Sequence, residues 1–516
     1  MRRRSSFIER TAVLLFGGYL IFFLLRHDPE PRAVPGILAI APPGYLLLAA
    51  QLNPLQQVNL GLGIPAARLY SIELSVVLVF LFVVYFLALR SARRQPHQGG
   101  GLGVILVGTV LFSLPLILCP YLLSRDIYSY IIYGRIAALY GGNPAIVAPI
   151  AYSHDAYFQY LIAWKDVPSV YGPLWTLFSH GLTLAVERCG GALWLYLLAY
   201  KLAMLMVHIA NTVLIWRIMP AWKPEQQLYA TLLYAWSPLA LIEFLSSAHN
   251  DVLMIGLILL AVLCTQRGYW RTAAMALVAA ALVKWIAIVL LPVWAIFWLR
   301  QAPAWRGRLL LASQIAVIAV AAGLLYLPYG QMRESISAPL ASQSAMQAEN
   351  SIGALAIRGG QDALLWLGAR SAREPGWRPA AEAAVAWSSK SLIFLAWLAA
   401  LYAVWRRPTF ERLLQSCCWL LMAILLISPL FRVWYITWPL ALAALLDWRP
   451  AGRIISTLAV AAPLAHLQSE SPAWLDALVF LPVIVLAVYE LWQARRARSR
   501  LRVQAPSAEQ PIAGSP

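Results

Sequence analysis

The chain has 516 residues, 61% of them hydrophobic and only 12% charged, with a mean hydropathy of +0.69 and a formal net charge of +18. Apolar runs of membrane-spanning length recur along it, which excludes a soluble globule or a filament, since either needs far more charge. The positive charge falls in clusters rather than on one continuous surface, so no nucleic-acid partner is expected.

The clusters lie at Arg2–Arg4, Arg90–Arg94, Arg217–Lys223, Arg267–Arg271, Arg300–Arg308, Arg406–Arg412, Arg449–Arg453 and Arg495–Arg502. Lys and Arg concentrate on the cytoplasmic side of a membrane protein, and all eight clusters can lie there together. That demand places spans near 8–26, 69–90, 102–122, 190–216, 227–247, 251–266, 309–328, 386–405, 412–430, 433–448, 453–467 and 473–493. Both termini then lie inside the cell. The stretch Thr272–Leu299 begins and ends beside cytoplasmic arginines, so it reads as two short helices turning near Lys284. The expected class is an all-α polytopic protein of the cell membrane with about fourteen membrane helices, in the range of about 12 to 14.

The first span has no small-residue cleavage site and reads as retained. After it, Ile37–Ala50 is interrupted by Pro42-Pro43. Counting it as a crossing would put Arg90–Arg94 outside, so it belongs at the outer interface or as a re-entrant piece.

Past the third span begins the first long extracytoplasmic region, 123–191, which opens on Ser124-Arg125-Asp126. A carboxylate at the lip of a bilayer is costly unless it has a task, so Asp126 is the leading candidate for chemistry. If SRDIYSYIIYGR continues as a helix, Ser129, Tyr130 and Tyr133 share its face, and hydroxyls beside a carboxylate suit polyol recognition. A structural alternative has Arg125 and Asp126 capping an interfacial helix, the carboxylate accepting backbone N–H bonds. In WKDVP, Lys165 and Asp166 either line an acceptor path or belong to a solvated loop face. Leu174–Glu187 is too short to span. Its Thr176, Ser179, His180, Thr183 and Glu187 recur at helical spacing, which describes a helix lying in the interface plane.

The topology puts His249-Asn250-Asp251 at the outer end of two spans, on the same side as Asp126. The three residues either cap the following span or bind sugar and order a phosphate site. Lys284 in AALVKWIAIVLL and Arg432 beside Trp434, Tyr435 and Trp438 are cations that cost free energy without an anionic partner. A lipid phosphate would be such a partner; a snorkelling lysine and an interfacial arginine are the alternatives. A second extracytoplasmic region, 329–385, carries Asn350-Ser351, a candidate for closing the acceptor path.

Residues 1–493 read as one integral-membrane domain and 494–516 as a basic, disordered cytoplasmic tail. No internal repeat is visible. Cys119 and Cys189 can both reach the outer side, which leaves a disulfide open. No CxxC, HExxH, P-loop or nucleophile elbow occurs, and the acidic residues form no clear ligand set, so neither a metal nor another cofactor is expected.

SRDIYSYIIYGRIAALYGGNPA, then WKDVPSVYGPLW, then AHNDVLMIGLILLAVL with a basic turn and ALVKWIAIVLLP, resemble an ordered set found in one family. It is that of the polyprenol-phosphate-mannose-dependent mannosyltransferases of actinobacterial lipoglycan assembly, within the GT-C superfamily. The resemblance covers residues 102–292 and, more loosely, SPLFRVWYITWPLAL; the first hundred residues and the loop 329–385 match poorly.

The resemblance implies a GT-C-like membrane enzyme that transfers a sugar from a polyprenyl-phosphate donor to an extracytoplasmic glycan or glycolipid acceptor, with inversion and without a nucleotide sugar. Mannose is carried by the resemblance alone. Asp126 matches the family's first-loop catalytic carboxylate. NPA stands here where the family more often has NPY, which bears on contacts near Asn143. In the mechanism this implies, Asp126 takes a proton from the acceptor hydroxyl. The phosphodiester departs as an anion and needs no separate acid. Arg432 and Lys284 are the expected clamps on that charge, with Tyr171, His249, Asn250, Asp251 and Tyr435 in the donor site. Arg125, Tyr130, Tyr133, Asn143, Asp166 and Asn350 are the expected acceptor contacts. A transporter or flippase of lipid-linked sugars is the alternative class, and a lipid-linked polymerase or ligase a third. Repeated halves would mark the transporter.

Overall fold

In the computed structural model of the chain, the described residues are 2–24, 66–94, 101–119, 123–302, 304–325, 331–345, 351–368, 376–446, 451–466, 479–486 and 489. The Pro42-Pro43 segment, Asn350 and the tail 494–516 lie outside them, as does most of the expected span 473–493. The longer elements are helices: α1 (Arg2–Leu24), α2 (Ala66–Arg93), α3 (Gly101–Leu118), α4 (Asp126–Ala138), α5 (Pro173–Arg188), α6 (Leu193–Ile218), α7 (Gln227–Ala235), α8 (Asp251–Gln266), α9 (Trp270–Val283), α10 (Leu290–Gln301), α11 (Trp305–Leu324), α12 (Met332–Ala345), α13 (Ile352–Trp366), α14 (Trp377–Arg406), α15 (Phe410–Ile427), α16 (Thr437–Ala444) and α17 (Ala451–His466).

The protein is an all-α polytopic membrane protein. Among the described residues, α2, α3, α6, α14 and α15 are long and apolar enough to cross a bilayer, and they fall on expected spans. A sixth is the pair Pro224–Ala235 and Pro238–Ser246, bent by 45°. Shorter apolar helices, α8, α9, α11 and α17 among them, stand at other expected positions. The break expected at Lys284 is present: the residue leaves the helix with an extended backbone (φ −146°, ψ 119°), and a 3-10 turn, Trp285–Val289, leads into α10.

Buried polar groups tie the spans together. Asn211 of α6 donates from Nδ2 to the Tyr234 hydroxyl (2.9 Å) and to the Val252 carbonyl (2.9 Å). A side chain at Gly256 would meet Asn211 Oδ1 at 2.4 Å, so glycine is what lets α8 approach this amide. Trp236 Nε1 donates to the Ile105 carbonyl at 3.0 Å. In a bilayer such bonds between helices replace the hydrophobic drive that water would supply.

Outside the spans, α4 and α5 lie against each other. A Cβ on Gly134 would meet Thr183 Oγ1 at 2.6 Å and the Ser179 carbonyl oxygen at 2.9 Å. The stripe of α5 that reads as a polar face toward the interface is therefore turned inward at Thr176, Ser179 and Thr183, which are buried beside Trp175. Small side chains allow two backbones to approach closely, and here they form a seam rather than a wetted face. The five cysteines form no disulfide with one another, and Cys189 is exposed.

Candidate functional site

A chamber of about 640 Å³ opens between the start of α4, the loop 164–171, the break after α9, the end of α15 and the segment 428–438. Asp126, Ser129, Tyr133, Trp164, Tyr171, Lys284, Arg432, Tyr435 and Trp438 line its polar part. Ile286, Ile288, Val289, Ile424, Leu425 and Leu430 make one wall apolar.

Asp126 is the first residue of α4, and the N-cap residue Arg125 makes no side-chain cap bond. The Asp126 carboxylate reaches across to the loop, where Trp164 Nε1 donates to its Oδ1 at 3.2 Å; the capping reading does not describe it. Its backbone N–H donates to Ser124 Oγ at 3.2 Å. Trp164 stands at φ 66°, a left-handed conformation that non-glycine residues adopt rarely and mostly where the surroundings enforce it. Burial pushes the Asp126 carboxyl above the usual carboxylate range, and the Trp164 bond and the charges of Arg432 and Lys284 work against that push.

Lys284 does not snorkel. Its Nζ donates to Asp251 Oδ1 at 2.7 Å and lies 4.9, 5.3 and 5.9 Å from the ring centroids of Tyr435, Trp438 and Tyr171. Trp438 Nε1 donates to the same Asp251 oxygen. The Arg432 guanidinium lies 5.8 Å from the Trp164 ring centroid. Two cations thus line the chamber that holds the carboxylate.

Tyr171 is set by its neighbour. Gly172 N–H donates to the Val283 carbonyl at 3.1 Å, and a Cβ on Gly172 would lie 2.0 Å from the Leu282 carbonyl oxygen, so YGPLW presses onto the end of α9 as only glycine can. The Tyr171 hydroxyl donates to Tyr130 Oη (3.4 Å), and Tyr133 to the Val167 carbonyl (2.8 Å).

His249, Asn250 and Asp251 have no exposed surface and stand behind the chamber rather than in its wall. His249 Nδ1 is 3.9 Å from Asp126 Oδ2 and 3.3 Å from the Tyr130 hydroxyl, and its ring stacks on Trp434 with centroids 4.0 Å apart. Asn250 occupies the N-cap position of α8 without a side-chain cap bond.

The expected acceptor residues divide. Tyr133 lines the chamber and Tyr130 is fully buried beneath it. Asn143 instead donates from Nδ2 to Ser335 Oγ at 2.8 Å and accepts from Ala145 N–H at 3.1 Å, tying the region between α4 and α5 to α12. Arg125 and the exposed Asp166 are not in the chamber wall. Asn350 is outside the described residues.

Three groups escaped the sequence reading. Trp164 carries no sequence signal, because only the fold of its loop brings it to Asp126. Glu243 had one, a lone acid in LIEFLSSA; it sits fully buried in a π turn, Ile242–Ser246, with Oε2 3.2 Å from His249 Nε2. Arg135 braces α4 from its far end: Nε lies 2.8 Å from Asp155 Oδ2, and the guanidinium also pairs with Glu187. Among the described residues no group of three or more His, Cys, Asp or Glu is arranged to hold a metal ion.

Comparison with known proteins gives a consistent picture. The family described as alpha-(1->6)-mannopyranosyltransferase, N-terminal domain, matches residues 38–300, just over half of the chain. That stretch contains Asp126, His249 and Lys284 and stops short of Arg432. A probable alpha-(1->6)-mannopyranosyltransferase of Mycolicibacterium smegmatis is 26% identical over 224 residues, 38% of this chain and 39% of the relative. An alpha-(1->6)-mannopyranosyltransferase of Mycobacterium tuberculosis is 29% identical over 165 residues, 31% of this chain and 26% of the relative. Another, alpha-(1->6)-mannopyranosyltransferase A of the same organism, is 26% identical over 212 residues, 41% of this chain and 40% of the relative. The matched part thus spans less than half the length of each of these relatives.

Proposed function

The chain belongs to the alpha-(1->6)-mannopyranosyltransferase family, and from that premise we propose that it is an integral-membrane hexosyltransferase moving a mannosyl group from a polyprenyl-phosphate carrier to a hydroxyl of a glycan or glycolipid. The reaction takes place at the outer face of the cell membrane, inverts the anomeric carbon and uses no metal.

The observation that carries the reading is the chamber itself: one mostly buried carboxylate, Asp126, with Arg432 and Lys284 in the same wall and an apolar flank beside them. Asp126 removes the proton of the acceptor hydroxyl as that oxygen attacks the anomeric carbon. The sugar–phosphate bond breaks, and the carrier leaves as a phosphate whose growing charge faces the two cations. A raised proton affinity suits the base, because its strength approaches what an alcohol in an oxocarbenium-like transition state requires. Tyr435 and Trp438, stacked with centroids 4.2 Å apart, offer an aromatic face to a sugar ring.

The test is transfer from a synthetic polyprenyl-phosphate mannose to an alkyl mannoside by purified protein. Asp126→Asn lowers kcat by about 10²- to 10⁴-fold, the usual worth of a general base. Wild-type turnover in that variant sinks the assignment of Asp126. Movement of a fluorescent lipid-linked sugar across liposomes without transfer would instead favour a transporter.

A further inference from the structure

Trp164 lies in the loop between α4 and α5 and lines the chamber, half-buried, at φ 66°. A tryptophan stays in the left-handed region only where its surroundings over-determine it. They do so from both sides. Ile150 N–H donates to the Lys165 carbonyl at 2.8 Å, and Val167 N–H to the Trp164 carbonyl at 3.4 Å. The Tyr133 hydroxyl, on α4 itself, donates to the Val167 carbonyl at 2.8 Å, and Ser169 N–H to the Pro144 carbonyl at 2.7 Å. The loop is thus tied to the helix whose first residue is Asp126, and the indole reaches that carboxylate from a fixed anchor.

We propose that Trp164 is a positioning residue for two working groups of the chamber: its ring edge holds the Asp126 carboxylate and its ring face holds the Arg432 guanidinium. The proposal rests on the reading of Asp126 as the base and of Arg432 as a clamp on the leaving phosphate.

The chemistry of indole makes the two contacts separable. Its Nε1–H can only donate, so the 3.2 Å bond to Asp126 Oδ1 has a single polarity. A donor on one oxygen restricts rotation of the carboxylate and favours its ionised form, against the burial that favours the proton. The ring face attracts a cation, and the Arg432 guanidinium lies 5.8 Å from the centroid, within the range of that attraction. A carboxylate and a cation in one chamber also attract each other, and a direct ion pair would occupy both; the indole gives each a neutral partner instead. The other charged and titratable groups near Asp126 are Lys284, His249, with Nδ1 at 3.9 Å, Glu243 and the phenols of Tyr130, Tyr133, Tyr171 and Tyr435. Phenols ordinarily titrate near about 10, far from an acid limb. Because the indole N–H donates to Asp126, removing it bears on the Asp126 carboxyl before any of these.

The experiment follows kcat and the KM of polyprenyl-phosphate mannose against pH, with an alkyl mannoside as acceptor. Trp164→Phe keeps an aromatic face and removes the N–H; Trp164→Gly removes both and suits a positive φ. The phenylalanine variant lowers kcat about tenfold, leaves the donor KM within about twofold and moves the acid limb up by about one pH unit, because a carboxylate that loses a donor binds its proton more tightly. The glycine variant moves the limb equally and also raises the donor KM about fivefold, as Arg432 loses its ring. Thermal unfolding of both reports whether the fold is kept. Adding Trp164→Phe to Asp126→Asn lowers kcat no further, since a residue acting through Asp126 then has nothing left to position. An unmoved limb in folded Trp164→Phe, a donor KM unchanged in Trp164→Gly, or a further fall in the double variant overturns the proposal. The two readings separate: transfer surviving in Asp126→Asn removes the base itself, while loss of transfer there with an unmoved limb in Trp164→Phe removes only the role of Trp164.

Discussion

Burial holds the Asp126 carboxyl above the ordinary carboxylate range, and this has two signed consequences. For activity, the base must be ionised, so the acid limb of kcat/KM lies above about 3.9, the value of a free aspartate. A limb at or below that value in a pH profile of the wild type would contradict the environment described. For stability, the folded state binds this proton more tightly than the unfolded chain. That contribution is present below the unfolded value and is lost as pH rises through the folded one. At neutral pH, then, Asp126→Asn unfolds at the same or a higher temperature than the wild type. Lys284 behaves oppositely. Lys284→Gln strands the fully buried Asp251, and breaking such a pair costs about 3–5 kcal/mol. Thermal unfolding should show that drop, and Asp251→Asn in the same chain should recover most of it.

At the scale of elements, the site depends on how closely helices and loops approach. Gly172 lets the loop carrying Tyr171 rest on the end of α9, and Gly134 lets α4, which carries Asp126, rest on α5. Overpacking of this kind costs about 1–3 kcal/mol when the obstacle is backbone. Gly172→Ala therefore lowers both thermal stability and kcat, since the added methyl displaces Tyr171 from the wall. Gly181 of the same α5 has open space around its Cβ position. Gly181→Ala leaves activity unchanged and raises stability slightly, as alanine is the better helix former. Equal effects from the two substitutions would mean that the close approach is not what positions the loop.

For the whole molecule, the proposed orientation has a direct check. Cys189 is the exposed one of the five cysteines and lies near the end of the region proposed to be outside the cell. A membrane-impermeant maleimide labels it in intact cells, without permeabilisation, if that region is extracytoplasmic; labelling only after lysis reverses the topology. Hydropathy and charge are properties of the chain in one dimension. They sufficed for the all-α membrane class, for the positions of spans such as α2, α3, α6, α14 and α15, and for the break at Lys284, because each residue meets the bilayer by itself. They sufficed also to single out Asp126, Lys284 and Arg432, polar groups whose cost at the membrane shows without any neighbour. Assembly is a different matter. Asp126 meets Trp164, Asp251 meets Lys284 and Trp438, and His249 meets Trp434 across separate segments of the chain. The same packing turned the polar stripe of α5 inward, put His249 behind the chamber and sent Asn143 to a latch with Ser335. Which polar group finds which partner depends on distances between segments far apart in the chain, and those distances exist only once the helices have packed.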